Sequence, residues 1–115
     1  MSLLISEVGF FIDSTNIIYY NAIWDTGASE SMITNRVVSD LSLKKSGKVT
    51  ISNVYDQKSD VDRFSCNFFV CDGYGFSVNP GIFPQRHGCD VIIGMDIISL
   101  GLFQSNKGVL SFIYK

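Results

Sequence analysis

The stretch 21-NAIWDTGASESMIT-34 places a polar cluster, DTGAS at positions 25–29, between two apolar segments. Asp25 follows an apolar run, and a carboxylate at the end of a buried strand is costly unless it is hydrogen-bonded or has a functional role. Gly27 permits a turn that a side chain would block, and the neighbouring hydroxyl groups can donate hydrogen bonds to the backbone of such a turn. Two interpretations follow: an Asp that caps an ordinary strand-to-loop turn, or a turn that presents a carboxylate for chemistry.

A second stretch, 90-DVIIGMDII-98, joins large aliphatic residues to a glycine. The segment 91-VIIG-94 is short and apolar, which predicts a buried strand. The following residues, 95-MDIISLG-101, favour a short helix, for which Gly101 is a suitable C-terminal stop. A buried strand that leads directly into a helix is therefore predicted across residues 91–101.

Three hairpins are predicted from segments that alternate between apolar and polar residues or are rich in β-branched and aromatic residues. The first spans residues 3–24, with the turn-forming run 13-DSTN-16 between its strands. The second spans residues 48–70, with 55-YDQKSD-60 as its polar tip. The third spans residues 102–115 and turns where a glycine supplies the positive φ of a tight turn.

The remaining segments have weaker patterns. Residues 31–43 are compatible with a helix or with irregular structure, and the sequence does not decide between the two. A loop is predicted after the second hairpin, in the region that holds Pro80 and Pro84. With no internal repeat and no linker, residues 1–115 are predicted to form a single all-β domain.

The composition bounds the function. Of the 115 residues, 46% are hydrophobic and 17% are charged, against roughly 25% charged residues in an average soluble domain. A chain with so few charges predicts that some apolar surface is covered by a partner subunit or lines a substrate cleft. The net charge of −2 argues against a nucleic-acid partner, because phosphate binding needs a basic face.

The sequence also limits the cellular compartment that we expect. No apolar stretch approaches the ~20 residues that cross a bilayer, and the first residues lack the basic segment of a signal peptide. We therefore expect no membrane partner. The three cysteines, Cys66, Cys71 and Cys89, are odd in number, which is typical of reduced thiols in a cytoplasmic protein.

The two opening stretches together resemble the signatures of the aspartic protease clan, and the chain length points to its retroviral-type branch, the retropepsins. The motif Asp-Thr/Ser-Gly-Ala/Ser after apolar residues appears as 24-WDTGAS-29, and the second signature, two aliphatic residues and a glycine, as 92-IIG-94. Between its signatures the family carries a flap hairpin that closes over substrate, and residues 48–70 occupy that place. The resemblance covers almost the whole chain. It implies an all-β acid protease fold, a closed β-barrel with one short helix after the second signature.

The resemblance also implies a role for each matched position. Asp25 would be the catalytic carboxylate, Thr26 would direct its hydroxyl across a dimer axis, and Gly27 would expose its backbone carbonyl to the peptide. The structural signature would be Ile93 and Gly94. The substrate cleft would be lined by Ala28, Ser29, Asn53, Val54, Tyr55 and Ile92.

The implied reaction is hydrolysis of peptide bonds by an aspartic endopeptidase without a metal or organic cofactor. It needs two carboxylates, and this chain has one Asp in such a setting: Asp72 lacks the Thr and the apolar lead-in, and Asp96 lies within the helical segment. A C2 homodimer that brings Asp25 of each subunit to the two-fold axis would supply both. The expected partners are therefore a second copy of the chain and a peptide or protein substrate.

The sequence departs from the family pattern at several positions. Ser29 and Met95 replace charged residues that help to hold the retroviral dimer, and Met95-Asp96 looks more like the bacterial and cellular members. The flap tip has no glycine, and the chain ends in a full predicted hairpin. Ala28 lacks the hydroxyl that pepsin-like enzymes place beside the carboxylate, which predicts an activity optimum less acidic than that of pepsin.

Other functions remain open at this point. A catalytically silent relative that uses the same fold for dimerisation or peptide binding would share the fold, since fold alone does not deliver function. A zinc site formed from Cys66, Cys71, His87 and Cys89 is disfavoured, because the spacings miss the usual Cys-x2-Cys pair. A Cys-His nucleophilic site is disfavoured because no third group that would orient it is identifiable.

Overall fold

We describe the fold from a computed structural model, which covers residues 4–52, 58–70, 75–106 and 109–114; at positions 49, 51, 52, 59, 61, 102–106 and 109–114 only the backbone is described. Strands dominate, and two short helices are present in the described residues. In chain order the elements are β1 (Ile5–Phe11), β2 (Ile17–Trp24), β3 (Met32–Ile33), α1 (Asn35–Leu41), β4 (Lys45–Ser52), β5 (Lys58–Phe64), β6 (Cys66–Phe69), β7 (Gly75–Val78), β8 (Gly81–Ile82), β9 (Val91–Ile93), α2 (Met95–Ile98), β10 (Gly101–Asn106) and β11 (Val109–Tyr114).

Seven strands form one sheet in the order β7-β6-β1-β2-β9-β3-β8. The predicted N-terminal hairpin is present as β1 and β2, with Ile5 opposite Ile23 and Phe11 opposite Ile17. In its turn, one Asp13 carboxylate oxygen accepts the backbone N–H groups of Thr15 and Asn16, each at 2.9 Å. These contacts and the Asn16 side-chain amide lower the pKa of Asp13 to about 2.

The core lies on one face of this sheet, where strand alternation brings together the buried side chains of β1, β2 and β9. Val37 of α1 and Ile97 of α2 pack against the same cluster. The largest fully buried members include Phe10, Ile33 and Ile93. The two helices therefore cover the core, and β9, buried on both faces, runs through the middle of the sheet.

The second hairpin contains different strands from those predicted by the sequence. The continuous strand predicted over residues 61–70 is two strands, because β5 ends at Phe64 and β6 begins at Cys66. The pair β4–β5 forms its own two-stranded sheet, while β6 joins the large one. Ser65 lies between them, and its N–H donates to the carbonyl of Lys44 at 3.2 Å. The hairpin predicted over residues 48–70 is therefore formed by β4 and β5 alone, and it lies outside the main sheet.

Other elements also differ from the sequence prediction. Residues 35–41 form α1, so the chain has a second helix, and β7 and β8 interrupt the region predicted to be loop. Gly101 begins β10 instead of ending a helix, since α2 ends at Ile98. The predominantly β prediction is confirmed. The closed barrel is not confirmed. In the described residues the strand order of the sheet runs from β7 to β8, and these two edge strands are not paired with each other.

Replacing Ile93 by Ala tests the central place of β9. Its side chain is fully buried, and removing it should lower the free energy of unfolding by about 2–5 kcal/mol. Chemical denaturation at one fixed protein concentration measures the change. Ile17→Ala is the control, since Ile17 is 40% exposed and should cost less than about 1 kcal/mol. Equal losses in the two variants would show that β9 is not the centre of the core.

Candidate active site

The segment 25–30, which contains the predicted catalytic loop (residues 25–29) and is called the catalytic loop below because of that resemblance, begins where β2 ends. The backbone N–H of Asp25 donates to the carbonyl of Ile93 at 2.9 Å, which continues the parallel β2–β9 pairing by one bond. Within the loop, the N–H of Gly27 donates to a carboxylate oxygen of Asp25 at 2.9 Å, and the N–H of Ala28 donates to the carbonyl of Asp25 at 3.1 Å. Both the backbone and the carboxylate of Asp25 are thus held in place.

Gly94 supports the loop from beneath. A Cβ on Gly94 would lie 2.6 Å from the carbonyl carbon of Glu30 and 2.9 Å from the carbonyl oxygen of Ala28, distances that no side chain tolerates. The next two N–H groups bond the loop directly: Met95 donates to the carbonyl of Ala28 at 2.8 Å, and Asp96 to that of Ser29 at 3.2 Å. The second signature, assigned by sequence to Ile93 and Gly94, therefore lies beneath this loop and is bonded to it.

A polar network joins the end of the loop to α2. The carboxylate of Asp96 accepts the backbone N–H of Ser31 at 3.0 Å and its hydroxyl at 2.7 Å. The Ser31 hydroxyl oxygen in turn accepts the N–H of Gly94 at 3.1 Å. Ser31 is 1% exposed, so these bonds satisfy polar groups that would otherwise be buried without partners. The sequence analysis missed this network. The sequence signal for this network was Asp96, an acidic residue in the first turn of the predicted helix.

A second apolar group lies on the strands that lead to and support Asp25. Ile23 and Ile92 are direct neighbours on paired strands, and Met32 lies opposite Ile92 on the other side. Strand alternation places these three on the face opposite the main core, and Ile23 and Ile92 are only 3% and 4% exposed. Ile92 was predicted for the cleft. Ile23 and Met32 were not, because strand pairing had to be known before they could be grouped with it.

The rest of the predicted site is distributed as follows. Asp25 and Ala28 are half-buried, whereas Thr26, Gly27 and Ser29 are exposed in the single chain. The predicted flap residues Asn53, Val54 and Tyr55 lie outside the described residues. One chain therefore presents one carboxylate at the edge of an exposed turn.

The loop that precedes β9 is fixed by a buried carboxylate. Asp90 is 3% exposed and accepts the Thr34 hydroxyl at 2.7 Å and the Gln85 side-chain amide at 3.2 Å. Arg36 of α1 forms an ion pair with it at 3.4 Å. The chain reaches Asp90 through a tight turn in which His87 and Gly88 both have positive φ, 54° and 71°. Asp90 thereby ties the start of β9 to α1 and to the preceding loop.

The cysteines behave as core residues. Cys66 and Cys89 are free thiols and buried, and burial raises the pKa of Cys66 to about 12 and also raises the pKa of Cys89. A nucleophilic cysteine needs the opposite shift. Among the described residues no group of three or more His, Cys, Asp or Glu side chains could hold a metal ion. Cys71 lies outside the described residues.

Comparison with known proteins agrees with this geometry. A sequence model of the family described as "Aspartyl protease" matches residues 15–97. No curated protein matches the chain in sequence. The crystal structure of a retropepsin-like aspartic protease from Rickettsia conorii superposes with a TM-score of 0.56 over 99% of this chain and 95% of that one, at 13% sequence identity. That likeness shows the fold.

Replacing Gly94 by Ala should displace the catalytic loop. The added methyl group overlaps the backbone of Glu30, and overpacking of this kind typically costs about 1–3 kcal/mol. Chemical denaturation measures the loss, and amide hydrogen exchange locates it in residues 25–31. Gly75→Ala is the matched control, because the nearest atom to its added Cβ would lie 3.9 Å away. If both substitutions had the same effect, the contact beneath the loop would not be the constraint.

The Cys66 thiol should resist alkylation. With a pKa of about 12, its thiolate is present at roughly one part in ten thousand at pH 8, far below a free cysteine. Iodoacetamide at pH 8 should therefore modify Cys66 in the unfolded chain and not in the folded one, as read by peptide mass spectrometry. Rapid modification in the folded protein would contradict the burial.

Proposed function

Because this chain belongs to the aspartyl protease family, as its match across residues 15–97 shows, we propose that it is an aspartic endopeptidase that cleaves peptide bonds as a C2 homodimer. The observation that carries the proposal is the catalytic loop, in which the Asp25 backbone is bonded to Ile93 and its carboxylate to the N–H of Gly27. An Asp that only capped a turn would not require the contacts that Ile93 and Gly94 make beneath the loop. The fold matches that of a retropepsin-like protease, which is consistent with this activity.

The chemistry follows from two carboxylates that face each other. Two Asp side chains ~3 Å apart share one proton, because both cannot ionise at that distance. The ionised member removes a proton from a water molecule, and the water oxygen attacks the scissile carbonyl carbon while the protonated member donates to the carbonyl oxygen. When the tetrahedral intermediate collapses and the C–N bond breaks, the carboxyl that took the water proton gives it to the amine nitrogen, and the other carboxylate takes back the hydroxyl proton, which restores the shared proton.

The homodimer is proposed because one chain supplies half of this pair. Thr26, Gly27 and Ser29 are exposed in the isolated chain, and a second catalytic loop at a two-fold axis would cover them. In that arrangement Thr26 bonds across the axis and stiffens both loops. The low charge content of the chain, 17%, favours a surface that is partly buried in an interface.

The proposed substrate is an extended peptide or protein segment. Gly27 presents its carbonyl to the substrate backbone, and Ala28 and Ser29 form the floor of the cleft with Ile92. We expect an apolar side chain beside the scissile bond from the apolar residues near Asp25; of Ile23, Met32 and Ile92, Met32 is the one that the single chain leaves partly exposed. We assign Asn53, Val54 and Tyr55 to the flap by their place in the sequence.

The proposed compartment is the cytoplasm, on the support of the free thiols of Cys66 and Cys89. In the part of the chain that the structure describes, no helix is long and apolar enough to cross a membrane. The reaction proposed above requires no cofactor.

Asp25→Asn should abolish cleavage. Wild type and variant are incubated with a diverse peptide mixture at high protein concentration between pH 3 and 8, and cleavage sites are read by mass spectrometry. Asp13→Asn is the control, since Asp13 lies in the exposed hairpin turn. We expect cleavage by wild type and by Asp13→Asn, and at least a ~10³-fold loss in Asp25→Asn, the scale of removing a catalytic acid or base. No cleavage by wild type shown to be dimeric in the same buffers would favour a silent peptide-binding module.

Ala28→Ser should extend activity toward acid. A serine hydroxyl next to Asp25 donates a hydrogen bond to the ionised carboxylate and stabilises that form. The acidic limb of the kcat/KM profile should therefore move to lower pH, while wild type has an optimum less acidic than that of pepsin. Ala28→Gly, which adds no donor, is the control. A wild-type optimum at pH 2 to 3, or equal profiles for the two variants, would contradict this role of position 28.

A further inference from the structure

The flap hairpin, β4 with β5, is anchored to the rest of the molecule at one end. Phe64, the last residue of β5, is buried in the core cluster, and its N–H donates to the carbonyl of Pro80 at 3.0 Å. The hairpin is a separate two-stranded sheet, and such sheets are marginally stable without further packing. The angle between the hairpin and the catalytic loop therefore depends on the contacts made by the hairpin residues next to Phe64.

Arg63 makes such a contact. Strand alternation directs it to the side opposite Phe64, and its guanidinium forms an ion pair with the carboxylate of Glu30. Glu30 is the last residue of the catalytic loop, and its backbone lies against Gly94. A side chain of the flap hairpin is thus bound directly to the loop that carries Asp25.

The local structure is suited to this contact. The register of β4 and β5 shifts between Lys45 and Gly47, opposite Arg63, which is the sign of a β-bulge. A bulge bends its strand and increases its twist. Asp96 lines the same hollow as Glu30 and Arg63, but its carboxylate is engaged by Ser31. Glu30 is therefore the carboxylate that holds Arg63.

We propose that the Arg63–Glu30 ion pair is a strut that sets the position of the flap hairpin over the catalytic loop, with Arg63 and Glu30 as positioning residues. The pair couples two elements that are far apart in sequence, and breaking it releases both. Its relevance to catalysis rests on the proposed function. The coupling itself can be measured in a protein that cleaves nothing.

Amide hydrogen exchange with charge-altering variants tests the strut. Glu30→Gln should speed exchange of residues 45–52 and 58–64, although the substitution lies outside the hairpin. Arg63→Gln should speed exchange of residues 25–31, although it lies outside the loop. The expected change is about two- to five-fold, the range for a partly exposed ion pair. The double variant Glu30→Arg/Arg63→Glu restores the attraction and should bring both segments back toward wild-type rates.

Asp62→Asn is the matched control. Asp62 pairs with Lys45 at 3.0 Å between the two strands of the hairpin, where the Lys45 side chain is 66% exposed and that of Asp62 33%. Its loss should leave exchange of residues 25–31 unchanged. The strut is overturned if Glu30→Gln leaves the hairpin at wild-type rates, or if Asp62→Asn speeds the catalytic loop as much as Arg63→Gln does.

Salt provides a second measurement that needs no charge reversal. At ~1 M ionic strength the Debye length falls to about 3 Å, so exchange of the wild-type hairpin should approach that of Glu30→Gln, while Glu30→Gln itself should change little. An equal response of the two proteins to salt would overturn the strut. If the enzyme is active, Arg63→Gln should raise KM more than it lowers kcat, whereas a general loss of folding would lower active enzyme without changing KM.

Discussion

The close approach of the catalytic loop to Gly94 is the constraint on which the rest of the site depends. The backbone of Glu30 passes through the space that a Cβ at position 94 would fill, so the loop and the start of α2 share one rigid unit. Three backbone bonds, from Asp25 to Ile93, from Met95 to Ala28 and from Asp96 to Ser29, fix the loop along its length. A turn of small polar residues would otherwise sample many conformations, because its own side chains bury little apolar surface.

This rigid packing buries polar groups, and the hydrogen bonds between Asp96 and Ser31 satisfy them. Bringing β9 and α2 beneath the loop buries the hydroxyl and N–H of Ser31, and the Asp96 carboxylate accepts both. Asp90 does the same at the other end of β9 for Thr34 and Gln85. Two carboxylates that have no assigned part in the proposed chemistry, Asp90 and Asp96, thus lie at the two ends of the short strand that supports Asp25, the proposed catalytic carboxylate. Each is bonded by groups from distant segments, so each also specifies how those segments assemble.

The sequence was most informative where a local rule decided the structure. The Asp13 turn, the alternation of β1 and β2 and the run Val91–Gly94 each carry their own signal, and the first hairpin and the second signature were predicted from them. Grouping Ile23 and Met32 with Ile92 required the order of β2, β9 and β3 in the sheet, which is set by long-range pairing. The break at Ser65 was missed because residues 61–70 keep their alternation on both sides of it, while tertiary contacts at Pro80 end β5.

The two sides of the catalytic loop differ in how firmly they are held. This difference links the ordering of the loop to assembly of the proposed dimer. Its inner side is fixed by Gly94 and Asp96, but Thr26 and Gly27 remain exposed in one chain. In the proposed dimer, the partner loop orders that outer side, and only a loop already held from within presents a fixed surface to it. Thermodynamic linkage makes this reciprocal: whatever loosens the inner contacts must weaken the dimer, and dimerisation must in turn protect those contacts. The floor beneath Asp25 therefore serves both to position the carboxylate and to preorganise the interface that would supply its partner.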